Sequence, residues 1–261
     1  MKSVSVNLAG GLGNVLFQIA TGYVTSLKND MNFCVDLSKH HGGHHCMNKY
    51  FSNILRKIEF CDFFNHDYIF GESSHEYSEI PKLSANTKLN GYFQSEKYFV
   101  DFRNEILELF SPTEEITNLL NNKFREILIE DNCSIHVRRG DYVSLPDYYV
   151  NLTIDYYKKC VDEIGNDKLF LIFSDDIEWC KDNFYFIKNK IFVDNLEDYE
   201  SLYLMSLCKN NIISNSTFGW WGAWMNQNNE KIVISSSEWF GPKLNHLLNS
   251  KDINCENWIK I

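Results

Sequence analysis

Short apolar runs alternate along this chain with longer stretches of helical spacing, and that alternation restricts the fold more than any other feature. Runs at 3–8, 32–36, 133–138, 169–174, 190–193, 211–214 and 231–235 read as strands. Stretches at 13–28, 152–164, 197–209 and 217–228 read as helices. The order makes βα units, so the expected class is α/β. Nothing in the chain repeats, and no tract has low complexity.

One helix carries its own start signal. Ser111-Pro112-Thr113-Glu114 combines a capping box with a proline expected at the first helical position. Ile116, Leu119, Leu120, Phe124, Ile127 and Leu128 then follow at helical spacing. The polar break Glu130-Asp131-Asn132 comes next, which places a domain boundary near residue 131. A length of 261 residues suits two domains, 1–131 and 132–261. Hydrophobic residues at 44% and aromatics at 15% supply buried cores for both and argue against disorder.

Charge narrows the partners. A net charge of −10 disfavours nucleic acid, whose binders carry a basic excess or stripe. Any phosphate site must therefore be a local positive pocket. Such a pocket is offered by Ile135-His136-Val137-Arg138-Arg139-Gly140-Asp141-Tyr142, where two arginines follow a strand. Arginine's planar fork matches phosphate oxygens and keeps its charge at any working pH, and two together fit a diphosphate. Gly140 allows a tight bend that turns Asp141 and the arginines to one side. The competing reading is a solubilising surface pair on opposite strand faces.

Other motifs cluster at strand ends. Leu8-Ala9-Gly10-Gly11-Leu12-Gly13-Asn14 leads from a strand into a helix, where N–H groups can face an anion or a sugar, although a plain strand-to-helix bend explains it as well. It lacks the full dinucleotide fingerprint, which disfavours a nicotinamide oxidoreductase: Leu16 stands at the third glycine position. Phe170 to Asp176 is an apolar strand ending in Asp175 and Asp176, which either accept from a guanine edge or cap the next helix. The two acids are adjacent, not alternating, so a divalent metal is not expected.

Asn211 to Trp224 passes from a strand through Ser214, Ser216 and Thr217 into a helix start, an arrangement suited to phosphate. Its tryptophans read as core ahead of a sugar platform. His40-His41-Gly42-Gly43-His44-His45, beside Cys46, has a zinc-like look, but its glycines and the lack of a second ligand pair favour a surface loop. The eight cysteines Cys34, Cys46, Cys61, Cys133, Cys160, Cys180, Cys208 and Cys255 form no C-x-x-C. With no secretory signal and no run of roughly 20 apolar residues, reduced thiols and a soluble cytoplasmic protein are expected, with attachment to the inner membrane face at most peripheral.

Taken together, GGLGN at 10–14, GYFQSEKYF at 91–99, HVRRGDY at 136–142, FSDD at 173–176 and NSTFGWWGAW at 215–224 resemble the bacterial α-1,2-fucosyltransferases of glycosyltransferase family 11. The resemblance runs from the N-terminus to about residue 224. It implies a GT-B-like fold of two Rossmann-type domains facing a central cleft. The second would bind GDP-fucose and the first a β-galactoside acceptor, as a glycan or a lipid-linked oligosaccharide. It also implies inversion of the donor's β-linkage to an α-1,2 linkage, with no metal and no cofactor beyond the donor.

Carried over by position, the resemblance places Arg138 and Arg139 at the diphosphate and His136 beside the donor. Asp175 or Asp176 falls at guanine, and Ser216, Thr217 and Phe218 at the phosphate turn. Gly11, Gly13 and Asn14 fall at the first glycine turn, with Asn14 facing the sugar. The implied catalytic set is Arg138, Arg139, Asp141 and Asn14. Asp141, Glu96 and His136 are the candidates for general base, Asp141 also being placed to brace an arginine. Three positions depart from the family pattern: Val15-Leu16 replaces a glutamine-containing pair, and Gly219 replaces a serine. A transferase using another nucleotide sugar and a non-catalytic sugar-binding module are the rival readings.

Overall fold

The computed structural model describes residues 2–38 and 47–261, so the expected loop at His40–Cys46 lies outside the described residues. The chain forms two compact units. One runs to Ser111 and takes in Asn249–Cys255; the other comprises Pro112–Leu248 and Glu256–Ile261.

The first unit is built on β1 (Ser3–Val6), α1 (Leu12–Lys28), β2 (Asn32–Phe33), β3 (Val35–Asp36), α2 (Asn48–Phe51), β4 (Phe60–Cys61), β5 (Tyr68–Gly71), β6 (Thr87–Asn90) and α3 (Arg103–Leu109). Two 3-10 turns, Glu96–Tyr98 and Val100–Phe102, precede α3. The main sheet has the order β2-β1-β6-β5 and is parallel throughout. Val4, Val6 and Leu89 are buried in it, and α1 buries Leu16, Phe17, Ile19, Ala20 and Val24.

The single strand expected at 32–36 is two strands. β2 pairs with β1, whereas β3 pairs with β4, so the chain changes sheets at Cys34. Cys34 and Cys61 meet there with sulfurs 3.0 Å apart. Burial and the neighbouring sulfur push the Cys34 thiol up to about 12, and both remain free thiols. Asp252 draws the late segment into this unit, accepting from Lys97 Nζ at 2.6 Å and Tyr77 N at 3.0 Å.

The second unit contains α4 (Glu114–Ile129), β7 (Asn132–Val137), α5 (Gly140–Ser144), α6 (Ile154–Ile164), β8 (Leu169–Ser174), α7 (Ile177–Asn183), β9 (Lys190–Phe192), α8 (Asp198–Leu207), β10 (Asn210–Ile213), α9 (Thr217–Trp224), β11 (Val233–Ser235), α10 (Pro242–Asn245) and β12 (Ile259–Lys260). Its strand order, β12-β11-β10-β7-β8-β9, is parallel throughout. The chain builds outward from β7 to β9 and then returns to lay β10 on the other side of β7. That reversal is the switch point at which open α/β sheets bind ligands beyond their strand ends.

The boundary expected near 131 falls one helix earlier, because α4 belongs to the second unit. Asn132 at the head of β7 donates its side-chain amide to Ile127 O at 2.9 Å, tying the helix to the strand. Thr113, not Ser111, caps α4, its hydroxyl accepting from Ile116 N at 3.2 Å. Pro112 therefore stands before the cap and not at the first helical position. Ile116, Leu120 and Phe124 form the buried stripe, while Leu119 faces outward. In α9 the side chains of Trp220, Trp221 and Trp224 are buried, with Trp220 stacked on Trp224 at 5.9 Å and tilted on Trp258 at 5.5 Å. They are core.

Candidate functional site

β7 is buried along its whole length and delivers Arg138 and Arg139 beyond its end, where sheet pairing stops. Arg138 Nη2 donates to Asp141 Oδ1 at 2.6 Å, and Nη1 lies 2.9 Å from Asp175 Oδ2. Its guanidinium also sits over the Tyr142 ring, 5.3 Å from the centroid. Arg139 is held differently. Its backbone N–H donates to Asp175 Oδ1 at 2.9 Å, its Nε to Asp176 Oδ2 at 3.0 Å, and its guanidinium stacks 3.9 Å from the Trp179 centroid. Stacking and carboxylate pairing together confine a planar fork that would otherwise sample many rotamers.

The two acids after β8 divide their work. Asp176 caps α7, accepting from Trp179 N at 3.2 Å, while its other oxygen takes Arg139 Nε. Asp175 binds one arginine through the side chain and the other through the backbone. Capping and bracing are thus both present. Gly140 is required for room more than for a bend, since a Cβ there would lie 2.5 Å from Asp175 Oδ2.

His136, near the end of β7, reaches the turn after β10. Its Nδ1 shares a hydrogen bond of 2.9 Å with Ser214 Oγ, and its ring lies 5.5 Å from that of Phe218. Burial first and the Arg138 charge second hold the imidazole down to about 3, so it is neutral at physiological pH. It offers a hydrogen bond and no charge. Tyr142 reaches the same turn, donating its hydroxyl to Asn215 O at 3.2 Å. Ser216 is the N-cap residue of α9, yet its side chain makes no capping bond; Thr217 begins the helix.

Gly219 lets α9 press against His136. A Cβ at this position would sit 2.7 Å from His136 Nδ1 and 2.9 Å from Cγ, against a ring already held by Ser214. Gly219→Ser, which installs the residue the family resemblance leads one to expect, should displace the imidazole. The overpacking should lower stability by about 1–3 kcal/mol, measured from the urea midpoint. An unchanged midpoint would mean the ring yields freely.

The glycine turn of the first unit lies at the end of β1. Gly11 is the N-cap residue of α1 and Gly13 is buried in its first turn. Asn14 Oδ1 accepts from Gln94 Nε2 at 2.9 Å. Val15 and Leu16 are buried, so the departure from the family pattern falls on core-facing positions. Glu96 lies in the first 3-10 turn, where its charge favours the half-buried Arg103 guanidinium that desolvation disfavours.

The structure therefore brings Arg138, Arg139, Asp141, Asp175 and Asp176 into one contact network in the second unit, and pairs His136 with Phe218 at the turn after β10. Gly11, Gly13, Asn14 and Glu96 belong to the first. Trp179, Tyr142 and Ser214 carry contacts that sequence reasoning did not assign. Trp179 had a legible signal: it stands three residues after the capping Asp176, in the first helical turn. Among the described residues, no three His, Cys, Asp or Glu side chains converge as metal ligands, and no helix is long and apolar enough to cross a membrane.

The model of glycosyl transferase family 11 matches residues 44–261. An alpha-1,2-colitosyltransferase of Escherichia coli is 32% identical, aligned over 100% of this chain and 99% of its own. The O-antigen biosynthesis glycosyltransferase WbnK of Escherichia coli is 29% identical, over 97% of this chain and 99% of its own. In fold, the chain is similar to the NodZ alpha-1,6-fucosyltransferase from Bradyrhizobium, whose crystals were soaked with GDP-fucose, with a TM-score of 0.58 at 11% identity over 86% of this chain and 92% of that one.

Proposed function

Because this chain belongs to glycosyl transferase family 11, we propose that it transfers L-fucose from GDP-β-L-fucose to the 2-hydroxyl of a terminal galactose, with inversion to an α-1,2 linkage. The acceptor is an oligosaccharide or a lipid-linked O-antigen unit, a reading supported by the similarity to WbnK. The observation that carries it is the pair of braced arginines at the end of β7, beside the switch point between β7 and β10.

As the bond from fucose to the diphosphate breaks, negative charge grows on the β-phosphate. Donors already fixed in place bind that charge better in the transition state than in the ground state, and this difference lowers the barrier. Arg138 and Arg139 are fixed by three carboxylates and two aromatic rings, so little reorganisation is needed when the charge appears. The reading draws on no metal ion. Ser216 and Thr217 at the start of α9 add hydroxyl groups for phosphate oxygens. Asp176 retains carboxylate lone pairs for the N–H groups of guanine beyond those used on Arg139 and the cap.

Asp141 is proposed to brace Arg138, given their 2.6 Å contact, ahead of serving as the general base. Neutral His136 supports the donor-side turn through Ser214. Asn14 lies on the sugar-facing turn of the first unit.

A second reading has a specific observation behind it. The full-length similarity to a colitosyltransferase fits a donor whose sugar lacks one ring hydroxyl of fucose. Incubating the protein with GDP-fucose or GDP-colitose and a panel of lactose, N-acetyllactosamine and lacto-N-biose separates the two. Mass spectrometry should show addition of one deoxyhexose from GDP-fucose, and NMR should place the new linkage on the galactose 2-hydroxyl. Transfer from GDP-colitose alone would establish the second reading. Galactoside binding without release of GDP would leave a sugar-binding module.

A further inference from the structure

In the first unit, β5 and β6 lie side by side in parallel with Gly71 opposite Asn90, so the residues that leave the two strands meet. Glu72 follows β5, and its N–H donates to Asn90 O at 2.9 Å. Its carboxylate reaches across the loop leaving β6. Oε2 accepts from Tyr92 N at 2.8 Å, and both oxygens lie 3.1 Å from Phe93 N. Successive backbone N–H groups converging on one anion form a nest, a site usually filled by phosphate or another bound anion. Here an internal carboxylate fills it.

Three features show how much of the loop depends on that carboxylate. Phe93 has φ +52, in the left-handed region that bulky residues avoid, and such strain persists only where the surroundings hold it. A Cβ on Gly91 would lie 2.4 Å from Glu72 Cβ, so the loop passes too close to Glu72 for any larger residue. Gln18 of α1 then joins the two turns, accepting from Ala9 N at 3.0 Å and donating to Gly91 O at 3.2 Å. The next residue after Phe93 is Gln94, which donates to Asn14 at 2.9 Å. Burial raises the Glu72 pKa against the hydrogen bonds from Tyr92 and Phe93.

We propose that Glu72 is a positioning residue for the sugar-facing turn of the first unit: its carboxylate holds the Tyr92–Phe93 backbone in its strained form and thereby sets Gln94 against Asn14. The inference rests on the acceptor role proposed for that turn. Charge strengthens both bonds: Oε2 accepts from both N–H groups, and a neutral amide of the same size would put a weaker acceptor there and an NH2 donor against Phe93 N in place of Oε1. Weakening these charged hydrogen bonds should move Gln94 and Asn14 together and weaken acceptor binding while the donor contacts of the second unit stay in place.

The test is Glu72→Gln in the full chain, read in two ways. In 1H–15N spectra, the Tyr92 and Phe93 amides should lose the downfield shift of carboxylate-bound N–H groups, and the Gln94 side-chain amide should shift with them. In transfer assays, the KM for the galactoside should rise roughly tenfold with the KM for GDP-fucose unchanged. Unchanged Tyr92 and Phe93 amides, or a rise confined to the donor KM, would overturn the proposal. If wild-type protein transfers nothing to any galactoside, the functional reading fails while the amide spectra still decide the role of Glu72. Should Glu72→Gln not fold, Glu72→Asp keeps the charge on a shorter arm and should show the same spectral change in weaker form.

Discussion

Arg139→Ala is expected to lower fucosyl transfer on the order of a hundredfold or more, with the far-ultraviolet dichroism and melting profile little changed. The size of the effect follows from how the guanidinium is held. Its Nε is committed to Asp176 and one face to Trp179, which leaves the paired Nη groups as the fork for a phosphate in the proposed reaction. Removing the fork removes charge stabilisation that grows as the donor bond breaks, so kcat should fall more than the donor KM rises. Arg139→Lys keeps the charge but loses the planar fork and the stacking, and should recover only part of the rate. Near-normal turnover of Arg139→Ala on GDP-fucose would remove the arginine pair from the centre of the mechanism.

The largest expected effect on stability lies in the first unit, at Lys88. Its ammonium donates to Asp36 Oδ2 at 2.6 Å, and both side chains are buried. Lys88→Met leaves a buried carboxylate without its cation, which should destabilise the unit by about 3–5 kcal/mol in urea titrations. Replacing both partners, with Asp36→Leu alongside Lys88→Met, should recover most of that loss. A Lys88→Met midpoint equal to wild type would show that the pair contributes nothing.

The same pair sets a pH dependence. Burial by itself would raise the Asp36 pKa, but hydrogen bonds from Lys88 and Ser38 outweigh it and bring the carboxyl down to about 2. A folded pKa below the unfolded one contributes stability that is present above the unfolded value near 4 and is lost as pH falls toward 2. Wild-type stability should therefore decline through that window. In Lys88→Met the carboxyl has lost the partner that favoured its charged form, so the destabilisation should shrink as the pH falls.

Much of the second unit was legible because its strands are long, apolar and bounded by turns. The expected strand 169–174 is β8 itself, and 133–138 differs from β7 by one residue at each end. The first unit was harder to read. β4 and β5 went unrecognised because they are short and lie half-exposed or exposed, so burial imposes little apolar pattern on them. The start of α4 was misplaced by two residues, because serine and threonine are equally suited to capping and only the hydrogen bond from Ile116 chooses between them.

Residue types and spacing determined the α/β class, the acidic envelope around a local arginine pair, the buried tryptophans of α9 and the arginines and acids gathered after β7 and β8; His136 and Phe218 came from the family resemblance. Tertiary structure alone decided that Asp176 both caps α7 and braces Arg139, that Trp179 supplies a face for the guanidinium, and that Asn249–Cys255 returns to the first unit. It also decided that Glu72 fills a backbone nest. The difference is one of range: periodicity and capping act within a few neighbouring residues and leave a local trace, whereas the bonds of Glu72, Asp175 and Asp252 join residues about 20, 36 and 155 positions apart. Such contacts exist only once the strands that carry them have paired.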